Sequence, residues 1–178
     1  MKVLGIPGSL RATSSNAALL RAAARVAPAG TELVLYEGLG GLPHFSPDLD
    51  VEPIPPTVVA LRAQIGAVDA IAICSPEYAH GMPGSLKNAL DWLVSALEPI
   101  GMPVLLVSAS PSGAEHAHGQ LLEVLRTMSM QVVDGGAHKF SRAKIGANDE
   151  ITAPELIAAL TAGFAQLAEA AAARTPTE

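Results

Sequence analysis

With 178 residues, 49% of them hydrophobic and 16% charged, the chain can bury one sizeable core and is short for two domains, which excludes a disordered protein. A net charge of −6 without a basic cluster argues against a nucleic-acid partner. Apolar runs such as residues 68–74 and 102–107 are too short to cross a bilayer, so no membrane partner is expected.

Residues 3–6 are a short apolar run stopped by Pro7-Gly8 and predict a buried first strand. A polar stretch, 9–16, leads into an alanine-rich helix over 17–26, with Ser14, Ser15 and Asn16 all suited to cap it. A second strand is predicted at 32–36. Residues 38–56, rich in Gly and Pro, are the one long irregular segment, and loops of that length are usually functional or mobile. A short helix over 58–65 and a third strand over 68–74 follow. The unbroken apolar character of Ala70, Ile71, Ala72, Ile73 and Cys74 suits a strand covered on both faces of a parallel sheet. A turn-rich stretch, 75–83, precedes a helix over 84–97 striped by Leu86, Leu90, Leu93 and Leu97. Beyond it come a strand at 102–107, a loop at 108–113, a helix at 114–128 and a short fifth strand at 131–133. Leu156, Leu160, Phe164 and Leu167 stripe a last helix that ends in a polar tail.

Strands alternating with helices imply an α/β fold with right-handed crossovers. Five strands and five helices over 1–178 fit one domain of the doubly wound order 2-1-3-4-5, a three-layer sandwich. Ligands of such sheets bind at the carboxyl ends of the strands where the order reverses, here between the first and third strands. The loops at those two ends are residues 7–16 and 75–83, with 108–113 beside them.

The first loop, Gly8-Ser9-Leu10-Arg11-Ala12-Thr13-Ser14-Ser15-Asn16, is dense in donors for a phosphate group. Small residues let the backbone curl, the helix N-terminus offers free N–H groups, and Arg11 adds a forked, permanently charged contact. No Gly-x-Gly-x-x-Gly follows the first strand, and neither Gly-x-x-x-x-Gly-Lys nor Gly-x-Ser-x-Gly occurs. Cys74 ends a strand with no arginine loop behind it, which argues against a cysteine phosphatase. As the only cysteine it cannot form an internal disulfide. With no charged-then-apolar leader before Lys2, a cytoplasmic location is expected.

The second loop and its helix read Pro76-Glu77-Tyr78-x-x-Gly81-x-Pro83-Gly84-x-Leu86-Lys87-Asn88-x-x-Asp91-Trp92. Together with Gly8-Ser9-Leu10-Arg11, Ser14 and Asn16, this motif resembles the NADPH-dependent FMN reductase family. These are flavodoxin-like flavoenzymes that include quinone, chromate and azo-dye reductases. The likeness runs along nearly the whole chain and is weakest over 139–151. Ala79 stands where the family commonly has Asn. The resemblance implies that Ser9, Arg11, Ser14, Ser15 and Asn16 surround the FMN phosphate. It further implies that Pro76, Glu77, Tyr78 and Ala79 line the isoalloxazine ring and that Ser110 and Gly113 approach its pyrimidine end. NADPH or NADH would then supply hydride, and a small acceptor would collect the electrons in a ping-pong scheme. The flavin carries that chemistry, so no catalytic side chain is expected.

The remaining candidates have plainer readings. His116 and His118 sit two apart at a helix start, where their side chains diverge, and no metal site is expected. His80 lies in the second loop, facing either substrate or solvent. Glu77 and Asp91 could act as a catalytic pair, although capping and inter-subunit hydrogen bonds suit them better. Trp92 falls off the leucine stripe, which points to an interface and, with the family likeness, to a homodimer or homotetramer. The alternative is a Trp folded under 38–56. A flavodoxin-type electron carrier is the competing function, disfavoured because such carriers bracket the ring with aromatics and this chain has few.

Overall fold

A computed structural model describes residues 1–146 and 150–174. Its strands are β1 (Lys2–Pro7), β2 (Glu32–Leu35), β3 (Ala70–Ser75), β4 (Pro103–Ser110) and β5 (Gln131–Lys139). The helices are α1 (Ser15–Ala23), α2 (Pro56–Gly66), α3 (Gly84–Asp91), α4 (Glu115–Thr127) and α5 (Pro154–Ala173). All strand pairs are parallel, in the order β2-β1-β3-β4-β5, so the fold is flavodoxin-like.

Side chains alternate across each strand, and the two faces collect different partners. Ala70, Ala72, Cys74, Leu105 and Val107 pack with Leu19, Phe164 and Leu167 of α1 and α5. Ile71, Ile73, Val104 and Leu106 pack with Leu61, Leu86, Leu90 and Leu121 of α2, α3 and α4. Every residue of β3 is buried, as its apolar run requires. Helix α5 is long and apolar enough by composition to cross a membrane. Its leucine and phenylalanine stripe nevertheless lies in the core, and Gly163 lets it approach the sheet: a Cβ there would come 2.7 Å from Leu105.

Several boundaries differ from the sequence reading; the first helix, predicted over 17–26, spans Ser15–Ala23. The helix predicted to 97 ends at Asp91, and the leucine stripe stops at Leu93, because Leu97 is 73% exposed. From Leu93 on the amides reach back three residues instead of four, and the Trp92 carbonyl left over at this end accepts from the Arg62 guanidinium at 2.7 and 3.2 Å. Strand β4 runs through Ser110, three residues beyond the predicted end, and so occupies the first half of the expected third loop. Strand β5 reaches Lys139 rather than 133; it is an edge strand, half exposed, with Gly135-Gly136 and a register shift beside it. Such a strand carries no apolar run to announce it. The polar tail predicted after the last helix falls on residues 175–178, outside the described residues, as do 147–149 of the least typical stretch.

Trp92 corrects the interface expectation. It has no exposed surface; its indole N–H donates to the Pro43 carbonyl at 2.8 Å and its ring meets Phe45 edge to face, with centroids 5.1 Å apart. The tryptophan is therefore folded under the 38–56 segment, which Asn88 and Arg62 fasten as well.

Candidate functional site

The carboxyl ends of β1, β3 and β4 open onto a cavity of about 400 Å³, within the roughly 300–1,000 Å³ typical of small-molecule sites. Ser9, Arg11, Ser14, Ser15 and Asn16 from the first loop line it with Pro76, Glu77 and Tyr78 from the second and Ser110 from the third. Thr13, Ala109, Pro111, Ser112 and Ser141 complete the wall and were not singled out in the sequence. Pro111 and Ser112 follow Ser110 directly, so only Ser141, beyond β5, had no signal.

The first loop is shaped by its own hydroxyls. Ser14 is the N-cap of α1, accepting from Ala17 N at 3.2 Å, and its own N–H reaches the Arg11 carbonyl. Ser9 Oγ accepts from Arg11 N at 3.3 Å and lies 3.1 Å from the Tyr78 hydroxyl, joining the first two loops across the mouth. Gly8 must pass close to β3, donating to the Cys74 carbonyl at 2.8 Å; a Cβ there would sit 3.1 Å from Leu86 and Ser75. Asn16 is buried beneath the loop, where its Oδ1 accepts the Cys74 thiol at 3.0 Å. Burial pushes that thiol far above its ordinary value, so it remains a neutral donor.

The second loop is a tight turn. Tyr78 and Gly81 exchange two backbone hydrogen bonds of 2.9 Å, which forces Ala79 and His80 to φ of 49° and 59°. Ala79 thus forms the tip of the turn and is not part of the cavity wall. Glu77 Oε2 accepts from Ala117 N at 2.9 Å in the first turn of α4, and Gln120 bonds Met82 N and the His80 carbonyl. Asp91 pairs with Lys87 one turn back, so it and Glu77 serve separate structural contacts. His80 stacks on His116, with ring centroids 4.2 Å apart.

In the third loop Gly113, at φ 99°, donates to the Ser110 carbonyl at 3.2 Å and accepts from the Ser110 hydroxyl. Its backbone is turned inward and lies off the cavity wall. His118 is buried, with Nδ1 3.0 Å from Ser108 Oγ and Nε2 2.8 Å from Asp134 Oδ1. Its side chain points away from His116, as the spacing predicted. Among the described residues no three His, Cys, Asp or Glu side chains are grouped to hold a metal.

A 2-1-3-4-5 parallel sheet with a polar cavity over the ends of β1, β3 and β4 defines a flavodoxin-like, ligand-binding protein. Residues 1–144 match the NADPH-dependent FMN reductase family, and the chain belongs to it. It is 40% identical over 112 residues to an NAD(P)H-dependent FMN reductase of Pseudomonas aeruginosa, a match covering 62% of this chain and 60% of that one. A quinone reductase of Pseudomonas putida is 37% identical over 145 residues, covering 74% of this chain and 76% of the relative. The chain thus spans about 60% of the first of these relatives. Among solved structures, the flavoenzyme NAD(P)H:(acceptor) oxidoreductase FerB from Paracoccus denitrificans superposes with a TM-score of 0.83 at 26% identity. That superposition covers 94% of this chain and 97% of FerB.

Proposed function

We propose that the chain, as one flavin-binding domain, is an NAD(P)H-dependent FMN oxidoreductase that reduces a quinone, a free flavin or a similar small acceptor. The single observation that carries this reading is the junction of two distant loops at one switch point, joined by the Ser9 and Tyr78 hydroxyls. The residues present suit FMN. Arg11 and the Ser9, Ser14 and Ser15 hydroxyls stand with the N-terminus of α1 at one end of the cavity, a donor set for a phosphate. Asn16 supports that end from beneath. Pro76, Glu77 and Tyr78 would line the ring; Ala79 and Gly113 hold the turns beside them.

Bound FMN supplies the hydride-accepting and electron-donating chemistry. The lining residues would hold and orient it, and the nicotinamide and the acceptor would use the same place in turn, the ping-pong scheme. Tyr78, 49% exposed, borders the cavity. Among the described residues no aromatic other than Tyr78 lines the cavity, which disfavours a one-electron carrier that brackets the ring. The lone buried cysteine suits the cytoplasm. A homodimer or homotetramer now rests on Val94, Leu97 and Ile100, which leave apolar surface exposed just past α3.

Purified protein should be yellow with bound FMN, oxidise NADPH or NADH when benzoquinone is added, and give parallel double-reciprocal lines. Arg11→Ala should weaken FMN binding by about tenfold or more, as expected for loss of a charge-assisted phosphate contact. Colourless protein that takes up no FMN would overturn the reading.

A further inference from the structure

Ser108, His118 and Asp134 form a hydrogen-bonded line that the proposed chemistry does not use. A hydrolase triad is excluded, because Ser108 has no exposed surface and no substrate reaches its hydroxyl. What the line does follows from where its members sit. Ser108 is near the end of β4 and His118 is in the first turn of α4, ten residues apart in sequence. Between them lies the whole third loop, including Ser110 and Ser112 of the cavity wall.

The direction of hydrogen bonding at one end of the line is set by Asp134. Burial works against its charge, yet the Gly136 N–H, the His118 N–H and nearby Arg126 outweigh that cost and hold the carboxyl below its ordinary value. A carboxylate only accepts, so Nε2–H of His118 donates to Asp134, while Nδ1 shares a hydrogen bond with the Ser108 hydroxyl. Asp134 also accepts from Gly136 N at 2.9 Å, beside the register shift between β4 and β5. One imidazole therefore joins the end of β4, the start of α4 and the irregular part of β5. The other polar and charged groups around this joint are Glu115 near Gly113, Glu77 on the Ala117 N–H, and His138 on the Gly135 carbonyl.

We propose that His118 is a positioning residue that closes the third loop and so pre-organises the wall against which FMN binds. Closing the loop in the folded chain removes conformers that FMN would otherwise have to order on binding. The same closure fixes the seat of Glu77 on α4, so it aligns the second loop with the third. This inference rests on FMN as the ligand.

The test titrates full-length, flavin-free protein with FMN, following flavin fluorescence, and records thermal melts of the same preparations. His118→Leu and Ser108→Ala both open the closure and should raise the Kd for FMN about tenfold. His118→Asn places an amide where Nδ1 stands, keeps the contact with Ser108 and loses the reach to Asp134. It should bind within about threefold of wild type. If His118→Leu does not fold, Ser108→Ala, which removes a single oxygen, decides against wild type and His118→Asn. A Kd unchanged in Ser108→Ala, or an Asn variant as weak as the Ser108→Ala variant, overturns the inference. A lower melting temperature with an unchanged Kd also overturns it, because that is what a purely structural contact gives. Failure of the wild type to bind FMN would instead overturn the ligand assignment.

Discussion

Asn88 and Trp92 stand one turn apart on α3 and its cap, facing the same side, and together grip residues 43–45. Asn88 Oδ1 accepts from Phe45 N at 2.8 Å and its Nδ2 donates to the Pro43 carbonyl at 2.9 Å, an oxygen that also receives the Trp92 indole. Asn88→Ala removes two hydrogen bonds. Pro43 keeps its tryptophan donor, so only the Phe45 N–H is orphaned, and water can partly replace what it loses. At about 1 kcal/mol net for each bond, the expected loss of stability is about 2 kcal/mol. For a chain of this size that corresponds to a fall in Tm of roughly 4–8 °C. Urea or thermal unfolding measures the total, and limited proteolysis within 38–56 reports whether the segment has come loose locally. Trp92→Phe should cost about 1 kcal/mol for its single bond plus a packing term, and the double variant should lose more than the sum, because only then does the Pro43 carbonyl lose both donors. A loss under about 0.5 kcal/mol for Asn88→Ala, with cleavage unchanged, would show that the segment is held by other contacts.

Ala79 occupies a left-handed conformation at a turn tip with its backbone already committed, so Ala79→Gly should stabilise the fold by about 0.5–1 kcal/mol in denaturant titration; no gain would mean that the turn tolerates the Cβ. Asp134 has a depressed folded-state pKa, so its contribution is present above the unfolded carboxyl value near pH 4 and is lost as pH falls through the lower folded value. Asp134→Asn should therefore flatten the acid limb of stability against pH and leave the curve unchanged in slope above about pH 6. Cys74 is buried with its thiol held neutral, so a thiol reagent should label it at the rate of unfolding rather than at the rate of a free cysteine. Fast labelling of native protein would contradict the packing of β3.

Strand order was not fixed by periodicity, but the order 2-1-3-4-5 fitted the pattern, and the position of the cavity followed once that order was taken. Buried strands alternating with helices leave few topologies, and the loops after the first and third strands must then meet. Contacts that depend on backbone atoms were not legible. Trp92 off a leucine stripe looks like an interface residue until the Pro43 carbonyl is seen above it, and no side-chain pattern announces a carbonyl. The helix predicted to 97 tightens to three-residue hydrogen bonds at Leu93, and Arg62 binds the freed Trp92 carbonyl from thirty residues away, again a backbone contact. His118 was read against His116 alone, whereas its partners lie on β4 and β5, and the edge strand carrying Asp134 was itself too polar to be traced past 133.

The long motif from Pro76 to Trp92 carried most of the resemblance, and the structure divides it into two parts with different duties. Pro76, Glu77 and Tyr78 face the cavity, and the Tyr78–Gly81 turn holds them there. Beyond Gly84 the chain enters α3, whose inner face joins the core through Leu86 and Leu90, while Asn88 and Trp92 secure the 38–56 segment. A rigid helix thus fixes the relation between the cavity wall and a segment that begins, at Leu39 and Gly40, along a second cleft shared with Ser9 and Arg11. Substitutions in the first part should change cofactor affinity and leave the segment in place. Those in the second part should loosen the segment, altering the KM for acceptors that touch it while FMN stays bound, and loss of FMN from Asn88→Ala would refute that division.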